Sequence, residues 1–379
     1  MEEKNQKSWV FSTKIGNVSI IFNKVLTKFF KYGTIKYRKK PLERPFERLY
    51  KGRKGRFHPM NIIAEVSPLV KWNEKKARNL RTAHKMIDAG FEERGKRMMF
   101  CGTFLVSEKC PECGKSTISS ANLCRDRLCP TCAWRLSLKR YAEMCCTLQS
   151  IHDIGQYEAG FLTLTVKNCD PENLRYTIEK MAEDWHRMLC DRTVRGITIG
   201  WARSLEITYN WRTGQFHPHY HVIMLTENGG DQATLQQFFR NRWQVCARLP
   251  YEPITDYRSI ESKASVRSDL DSADFTKAVL ETYKYSVKND DIEDMPLAIF
   301  RQFVSAIAGK RFCSYGGIIK KARRELGYKD NDELESEDCA LAGTKKVCAC
   351  GGVMQQEVLQ WSFTEKQYKV LTDMLAANQ

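Results

Sequence analysis

The chain has 379 residues, enough for one large domain with appendages or for two domains. Apolar residues make up 42% of the chain and aromatic residues 11%, which is typical of a packed globular protein and excludes a largely disordered one. The net charge of +16 indicates a polyanionic partner, and basic residues occur throughout the chain, which favours nucleic acid over a membrane surface.

The sequence carries no pattern of a membrane-spanning or exported protein. Its apolar runs fall well short of the roughly 18 residues that a transmembrane helix needs. Its first residues, MEEKNQKSWV, do not follow the pattern of a secretion signal. We therefore expect a cytoplasmic protein whose 15 cysteines stay reduced, with thiolates that bind metal ions rather than form disulfides.

The N-terminal part of the chain is rich in basic residues. We assign residues 1–60 to a basic arm, because Lys36–Arg56 is a dense basic run with two prolines. Such an arm is either a flexible solvated segment or a segment that adds phosphate contacts to a nucleic-acid complex. Residues 61–147 are expected to form a helical and zinc-binding module, with a helix over Trp72–Gly90.

Two CxxC pairs stand out in this module. Cys110–Cys113 and Cys129–Cys132 are separated by fifteen residues. Each pair can place two thiolates on one tight turn, and two such turns complete a tetrahedral Cys₄ zinc site. Cys124 is a fifth candidate for the four positions. The spacing predicts one structural zinc ion held by Cys110, Cys113, Cys129 and Cys132.

A weaker group of cysteines lies near the C-terminus, in a segment (329–379) that we treat as a tail. The group comprises Cys339, Cys348 and Cys350. These three residues have no clear fourth ligand nearby in the sequence, so the sequence assigns them no role.

Strands and helices alternate between the two cysteine groups. Gly160–Lys167 is predicted to be a central strand, and Pro171–Cys190 a helix with Asp170 at its N-cap. A further helix is expected over Asp231–Leu249 and a short strand within Tyr251–Glu261. Together with the hairpin described next, this order predicts an α+β fold in which helices pack on a central antiparallel sheet.

Three histidines alternate along one predicted strand, Gln215–Thr226. Alternate side chains of a strand project from the same face, so His217, His219 and His221 point the same way. Residues i and i+2 lie about 6.6 Å apart along a strand, whereas i and i+4 lie about 13 Å apart. One adjacent pair of histidines is therefore expected to bind a metal ion, and the spacing alone leaves both pairs open.

The preceding strand offers a carboxylate to the same site. If Ser204–Tyr209 pairs with the histidine strand through the turn Asn210–Gln215, Tyr209 lies opposite Phe216 and Glu206 lies opposite His219. Directly opposed side chains share a face, with Cβ atoms about 5 Å apart. A carboxylate and two imidazoles on one face suit Mg²⁺ or Mn²⁺, and also Zn²⁺.

A second chemical element is a predicted helix over Ser272–Val287. Glu281 and Tyr285 are one turn apart and share a face. Tyr283 lies about 200° round the helix from both and is expected to point the other way. Lys284 and Lys288 form another i,i+4 pair, which can hold a phosphate.

These motifs together resemble a known family. HPHYHVIM, at residues 217–224, resembles the HUH motif of single-strand-nicking endonucleases, in which two histidines flank a bulky hydrophobic residue. LEITYN, FLTLTVKN, ETYKYSVK and RFCSYGGIIKK resemble the surroundings of that motif in plasmid rolling-circle replication initiators of the single-tyrosine type. The resemblance extends from about Cys124 to Tyr328.

The resemblance implies a fold and a set of roles. It identifies His219 and His221 as the HUH pair. It also implies a nuclease domain at 148–328 whose sheet has the ferredoxin-like form of HUH nucleases. It makes Tyr285 the nucleophile and Glu281 the residue that activates water for the final cleavage. It also favours participation of Cys124 in the zinc module.

The activity implied is nicking of one DNA strand at the double-strand origin. Such an enzyme leaves a 5′-phosphotyrosine link and a free 3′-OH primer, and it rejoins the strand at termination. Its expected partners are origin DNA, both duplex and single-stranded, and the host helicase and polymerase. Two alternatives remain: an HUH transposase or relaxase, which Tyr283 beside Tyr285 keeps open, and a non-catalytic zinc-ribbon DNA-binding regulator.

Overall fold

The computed structural model describes residues 69–152, 157–227, 231–260, 279, 282–283, 289–329 and 347–376. The basic arm predicted at 1–60 lies outside these residues. The same is true of most of the predicted helix over Ser272–Val287 and of Cys339.

Helices and antiparallel strands are combined in the described residues, as the α+β prediction requires. The helices are α1 (Leu69–Asp88), α2 (Glu92–Phe100), α3 (Pro130–His152), α4 (Leu174–Cys190), α5 (Arg192–Ile197), α6 (Gln232–Cys246), α7 (Asn289–Asp294), α8 (Leu297–Ala306), α9 (Gly317–Glu325) and α10 (Leu371–Ala376). The strands are β1 (Phe104–Lys109), β2 (Ser116–Ala121), β3 (Glu158–Thr165), β4 (Thr198–Asn210), β5 (Gln215–Thr226), β6 (Thr255–Ile260), β7 (Cys313–Gly316), β8 (Gln355–Ser362) and β9 (Gln367–Val370).

The larger sheet has five strands in the order β6-β3-β5-β4-β7, and all its neighbours are antiparallel. Along the chain, β3 is followed by α4, the β4–β5 hairpin, α6 and β6. The histidine-bearing strand β5 is therefore central, with β3 on one side and β4 on the other. Burial on both faces explains its continuous apolar run Val222–Leu225.

Each face of this sheet packs on different helices. Leu162, Leu205 and Val222 belong to one apolar cluster with Met181 of α4 and Phe239 of α6. The opposite face carries a second apolar cluster, whose members include Phe161, Ile223, Met144 of α3 and Ile319 of α9. On that second face the apolar side chains give way to polar ones towards the β4–β5 turn, and the candidate site lies there.

The smaller sheet joins the two ends of the described chain. Its order is β2-β1-β8-β9, and Leu105 of β1 lies opposite Leu359 of β8. Both leucines are buried in one cluster with Trp72, Trp134 and Trp361. Residues 347–376 are therefore part of the cysteine-containing module. The treatment of 329–379 as a separate tail was wrong for this stretch. The pairing was missed because a buried strand pairing of this kind has no sequence signature of its own.

Asp170 lies at the predicted N-cap position with Pro171 directly after it, but the capping side-chain hydrogen bond is absent. A 3₁₀ turn over Pro171–Asn173 precedes α4, and the Asp170 carboxylate accepts no bond from the helix amides. It accepts a hydrogen bond from Gln215 Nε2 at 3.1 Å instead. This contact ties the start of the helical segment to the first residue of β5.

None of the helices in the described part of the chain is long and apolar enough to cross a membrane.

Candidate functional site

The β4–β5 hairpin has the register that the sequence predicted. Tyr209 lies opposite Phe216, and Glu206 lies opposite His219. The turn fixes this register: the Asn210 side-chain oxygen accepts hydrogen bonds from two turn amides, and Gly214 adopts a positive φ of 71°. The predicted sharing of a face by Glu206 and the histidines is confirmed.

Glu206, His219 and His221 converge on one point. Glu206 Oε2 lies 3.0 Å from His221 Nε2 and 3.5 Å from His219 Nε2. One ligand atom from each residue lies within 4.8 Å of the others, so the three can hold one metal ion. All three side chains are largely buried, and the Phe161 ring stacks on His221 at 5.3 Å.

The hydrogen bonds behind the histidines orient them for a cation. His219 Nδ1 lies 3.1 Å from the His217 carbonyl oxygen. A carbonyl can only accept, so Nδ1 carries a proton, and in the neutral ring the Nε2 lone pair faces Glu206. Thr163 Oγ1 lies 3.2 Å from His221 Nδ1 and can accept in the same way. Lone pairs facing a carboxylate are stable only with a proton or metal ion between them, so these residues fit a divalent cation.

Glu206 is held in its charged form. Burial alone would raise the pKa of its carboxyl, but when both rings are protonated, hydrogen bonds and charge from His219 and His221 outweigh burial and hold that pKa well below its usual range. An ionised carboxylate beside two imidazoles is a mixed O/N donor set.

His217 stands outside this group of ligands. Its Nδ1 lies 2.9 Å from Asn168 Oδ1, and its ring stacks on that of His219 with 5.1 Å between centroids. Burial lowers its pKa below the ordinary value. Of the three histidines, His219 and His221 are the two that lie with Glu206 in a group able to hold one ion, and metal binding by this pair stays a prediction.

A gap in the sheet beside Pro218 gives His217 its partner. The β3–β5 ladder stops at Thr165 opposite His219 and resumes as a single bridge between Cys169 and Phe216. Proline has no N–H to donate to a neighbouring strand, so it is suited to this gap. The chain that passes around the gap carries Asn168, whose side chain reaches His217.

Cationic and aromatic side chains lie near this edge of the sheet. The backbone N–H of Lys167 donates to Tyr251 Oη at 2.9 Å, and the Lys167 ammonium lies 4.4 Å from the centre of the Tyr251 ring. In the β4–β5 turn, Trp211 is 72% exposed, with the Arg212 guanidinium 5.2 Å from its ring. These pairs were not identified from the sequence, because single aromatic residues in turns carry no motif.

The predicted catalytic helix is described only in part. Tyr285, Glu281, Lys284 and Lys288 lie outside the described residues. Tyr283 is described and is only 2% exposed, in the apolar cluster that also contains Val279 and Tyr315. Burial raises the pKa of its phenol well above 10. A phenol buried in this way is a core residue.

The cysteines do not form the single site that the spacing predicted. The two CxxC pairs lie in different groups, each completed by two further cysteines. One group, the buried cysteine cluster, consists of Cys101, Cys124, Cys129 and Cys132. The other, the exposed cysteine cluster, consists of Cys110, Cys113, Cys348 and Cys350. Pairing Cys110 and Cys113 with Cys129 and Cys132 was therefore wrong, whereas the suggestion of Cys124 as a participant agrees with the buried group.

The buried cysteine cluster has short sulfur–sulfur distances. Cys101 Sγ lies 3.5 Å from the Sγ atoms of both Cys129 and Cys132, and Cys124 Sγ lies 3.7 Å from that of Cys132. The backbone N–H of Arg125 donates to Cys132 Sγ at 3.2 Å. Burial opposes ionisation of Cys101, but hydrogen bonds from the neighbouring thiols outweigh it and lower its pKa well below the usual range.

A buried lysine lies close to this cluster. Lys76 of α1 donates hydrogen bonds to the carbonyl oxygens of Met99 and Cys101, at 2.6 and 2.8 Å. Burial lowers the pKa of Lys76 to about 8, although the nearby thiols favour its charged form. A cation at this position partly offsets the negative charge that four thiolates would bring.

Comparison with known proteins identifies the family. The model of the Replication protein family matches residues 115–369, about two thirds of the chain. This chain belongs to the Replication protein family. The resemblance to plasmid rolling-circle replication initiators is thereby confirmed.

Individual relatives agree with this assignment. This chain is 31% identical over 299 residues to "Protein rep" of Bacillus amyloliquefaciens, and the match covers 72% of this chain and 88% of the relative. It is 28% identical over 312 residues to "Protein rep" of Streptococcus pneumoniae, covering 79% and 91%. It is also 31% identical over 186 residues to a "Replication protein" of Staphylococcus aureus, covering 46% and 75%. No solved structure matches the chain.

Sequence reasoning missed two features of the cysteine clusters. Cys101 stands alone in the sequence, so nothing indicated its role as a ligand. A signal was available for the other cluster, because CPECG at residues 110–114 and CACG at 348–351 both place a glycine directly after the second cysteine. That repeat of a knuckle pattern could have paired the two segments.

Proposed function

We propose that this replication protein is a metal-dependent, site-specific DNA endonuclease and strand transferase. It would nick one strand at the double-strand origin of a plasmid, keep the 5′ end on a tyrosine and rejoin the strand at termination. The observation that carries this proposal is the convergence of Glu206, His219 and His221 on one face of a rigid hairpin.

The order of elements supports an HUH-type, ferredoxin-like sheet. The chain order β3-α4-β4-β5-α6-β6, with the four strands arranged β6-β3-β5-β4, is the split β-α-β arrangement of ferredoxin-like folds. In this arrangement the two central strands are β3 and β5. Side chains from β5 and its neighbour β4 would then form the metal centre, as the resemblance to HUH nucleases implies.

We propose Mg²⁺ or Mn²⁺ as the ion held by His219, His221 and Glu206. The mixed donor set and the orientation of both imidazoles support this choice. When bound, such an ion supplies Lewis-acid polarisation of a phosphate oxygen. The protein's own contribution is to keep the three ligands in place through the strand register and the hydrogen bonds behind each ring.

Tyr285 is the proposed nucleophile. Its hydroxyl oxygen would attack the scissile phosphorus, so that a tyrosine O–P bond forms and the P–O3′ bond breaks. The departing 3′ oxygen takes up a proton and becomes the primer terminus. The covalent link conserves the phosphodiester for rejoining. Burial of Tyr283 in the apolar cluster supports the choice of Tyr285, since only one of the two tyrosines would be accessible to DNA.

Glu281, Lys284 and Lys288 are proposed to assist on the same helix. Glu281, one turn before Tyr285, would remove a proton from water for the final cleavage, which lets one tyrosine serve a whole round. A general base contributes roughly 10²–10⁴-fold to a rate. Lys284 and Lys288 would hold phosphates of the bound strand.

The edge of the sheet near the metal centre suits single-stranded DNA. Stacking of bases on aromatic rings, combined with nearby cations, is the usual means of binding single strands. The Trp211–Arg212 and Lys167–Tyr251 pairs offer both chemistries at the same end of the sheet as His217. The net charge of +16 would add phosphate contacts to duplex origin DNA.

The buried cysteine cluster is the proposed structural zinc site. Four thiols within 4.8 Å of one another are matched to a tetrahedral ion with Zn–S bonds of about 2.3 Å. The site would join α2, the loop around Cys124 and the start of α3, which supports the packing of this module beside the main sheet.

The decisive experiment is an adduct assay. Protein is incubated with Mg²⁺ or Mn²⁺ and with single-stranded oligonucleotides that tile the origin region of its plasmid, and products are resolved on a denaturing gel. A slowly migrating protein–DNA adduct is expected. Stable binding without an adduct, for every oligonucleotide and either ion, would contradict the proposal and favour a DNA-binding regulator.

Paired tyrosine variants identify the nucleophile. Tyr285→Phe should abolish the adduct, and Tyr283→Phe should retain it. An adduct that mass spectrometry maps to Tyr283 would overturn the assignment and favour a two-tyrosine transposase. Glu281→Ala should form the adduct normally but release few closed single-stranded circles.

A further inference from the structure

We propose that the exposed cysteine cluster is a second tetrathiolate zinc site, and that it holds the C-terminal strands β8 and β9 against the β1–β2 hairpin. This site is separate from the buried cysteine cluster and from the Glu206–His219–His221 centre. It would use a thiophilic ion, with zinc as the ion expected inside a reducing cell.

The sulfur positions match a metal tetrahedron. Cys110 Sγ lies 3.5 Å from Cys350 Sγ, and Cys113 Sγ lies 3.6 Å from Cys348 Sγ. All four sulfurs lie within 4.8 Å of one another. Zn–S bonds of about 2.3 Å in a tetrahedron place the sulfurs about 3.8 Å apart. A disulfide needs about 2.05 Å, so the four thiols are arranged as ligands and not as two bridges.

Each half of the site is a tight turn that presents two thiols. In the first turn, the Gly114 N–H donates to the Cys110 carbonyl at 2.9 Å, and Gly114 has a φ of 72°. In the second, the Gly351 N–H donates to the Cys348 carbonyl at 3.0 Å, and Gly351 has a φ of 94°. Both glycines take a left-handed conformation that is strained for other residues, and so both turns are specified by the sequence.

The two turns approach each other so closely that a side chain would not fit between them. A Cβ atom added at Gly352 would lie 2.8 Å from Cys110 Sγ and 2.8 Å from Cδ of Glu112. The glycine thus permits the second turn to lie against the first. A close approach of backbone to thiol is expected where both serve one ion.

The site lies at the end of the β1–β8 pairing where apolar packing is weakest, so a bound ion would stabilise the pairing there. β1 and β8 pair from Phe104 opposite Gln360 to Lys109 opposite Gln355, and the cluster lies just beyond this last pair. The far end of the ladder is held by buried apolar side chains such as Leu359. At the cluster end, Cys110 is buried and Cys348 is half-buried, but Cys113 and Cys350 are exposed, so hydrophobic burial contributes less there and metal–thiolate bonds would hold the strands together.

Zinc stoichiometry of the purified full-length protein tests this proposal. We expect two zinc equivalents in the wild type, and one in Cys113→Ser and in Cys348→Ser. Cys190→Ser is the matched control, because Cys190 is also an exposed thiol but lies in neither cluster, and it should keep two. If the wild type bound only one zinc equivalent and Cys348→Ser bound one as well, the proposal would be wrong.

Cobalt substitution locates the ion without reference to DNA cleavage. With Co²⁺ in place of zinc, a tetrathiolate site gives a thiolate-to-cobalt charge-transfer band, and Cys348→Ser should lose about half of this absorbance. Gly352→Ala should reduce cobalt affinity, whereas Gly196→Ala, at a position with open space around it, should not. Equal affinity in both glycine variants would contradict the close approach. Because no readout involves nicking, failure of the proposed nuclease activity would leave these results unaffected.

If Cys348→Ser does not yield folded protein, Cys350→His provides a second test. Histidine remains a zinc ligand, so this variant should keep the second equivalent, whereas Cys350→Ser should lose it. If both Cys350→His and Cys350→Ser kept the second zinc equivalent, the proposed site would be wrong.

Discussion

The proposed metal centre of the main sheet and the cysteine clusters are built in different ways. Glu206 and His221 are 15 residues apart and lie on adjacent strands of one hairpin. In the buried cysteine cluster, Cys101 and Cys132 are 31 residues apart, and in the exposed one Cys110 and Cys350 are 240 apart. The first site is local, whereas the others connect distant parts of the chain.

This difference predicts what each ion does. The hairpin places Glu206 and the histidines through strand register and apolar packing, so the ligands are in place whether or not an ion is bound. An ion there adds chemistry and little stability. The thiols of the buried cluster come from separate segments, and burial raises the pKa of Cys129 and Cys132 well above the usual range, so all four ionise together only with a cation among them. An ion there contributes directly to folding.

His219→Ala should have the largest effect on activity and almost none on stability. Loss of a metal ligand removes several kcal/mol of transition-state stabilisation, which corresponds to at least about 100-fold in nicking rate. The melting temperature and the zinc content should remain close to those of the wild type. Nicking assays with Mg²⁺ and thermal melts on the same preparation check both expectations. A wild-type nicking rate would remove His219 from the metal centre.

Cys129→Ser should show the reverse pattern. One zinc equivalent should be lost, and the free energy of unfolding should fall by more than about 4 kcal/mol, a size associated with loss of a structural metal. Cys348→Ser should cost less, because its cluster is partly exposed and would hold only one end of the small sheet. Zinc analysis and denaturant melts of the two variants measure the contrast. Equal destabilisation would show that the two clusters do not differ in this respect.

The two cysteine clusters should also lose their ions at different rates. Cys113 and Cys350 are exposed, whereas Cys101, Cys129 and Cys132 are buried, so a chelator reaches the exposed cluster first. With a chromogenic chelator we expect zinc release from the wild type in two phases of one equivalent each. The fast phase should be missing from Cys348→Ser. A single phase in the wild type would contradict the distinction between exposed and buried sites.

The local and distant sites also differ in how far the sequence could predict them. The turn determines the register at Glu206, and a shift by one residue would move the three histidines to the face opposite that carboxylate. A CxxC pair, by contrast, supplies two thiolates and carries no information about which other pair completes the tetrahedron. The nearest pair in the sequence was chosen, but the β1–β8 pairing brings Cys348 to Cys113 instead.

The fold follows the same rule. Elements set by local periodicity, such as β5 and α4, lie within a few residues of their predicted bounds. The Asp170 carboxylate makes no capping hydrogen bond and instead accepts one from Gln215, 45 residues away, a contact that the local sequence does not indicate. Tyr283 is buried, whereas Glu281 and Tyr285 lie outside the described residues, so the helical phase that separates Tyr283 from them stays a prediction.

His217→Ala should have the smallest effect and would refine the description of the local site. The His219 ring is oriented by the backbone carbonyl of residue 217, which alanine retains, so the metal ligands should stay in place. What is lost is the stacking of the two rings and the contact with Asn168. A ring pair contributes about 0.5–1.5 kcal/mol, so we expect nicking to slow by roughly two- to tenfold. The dependence of the rate on Mn²⁺ concentration separates the possible causes: a nearly unchanged half-saturating concentration supports a positioning role. A loss as large as that of His219→Ala, with weakened Mn²⁺ dependence, would instead make His217 a ligand, and the choice of the 219/221 pair would be wrong.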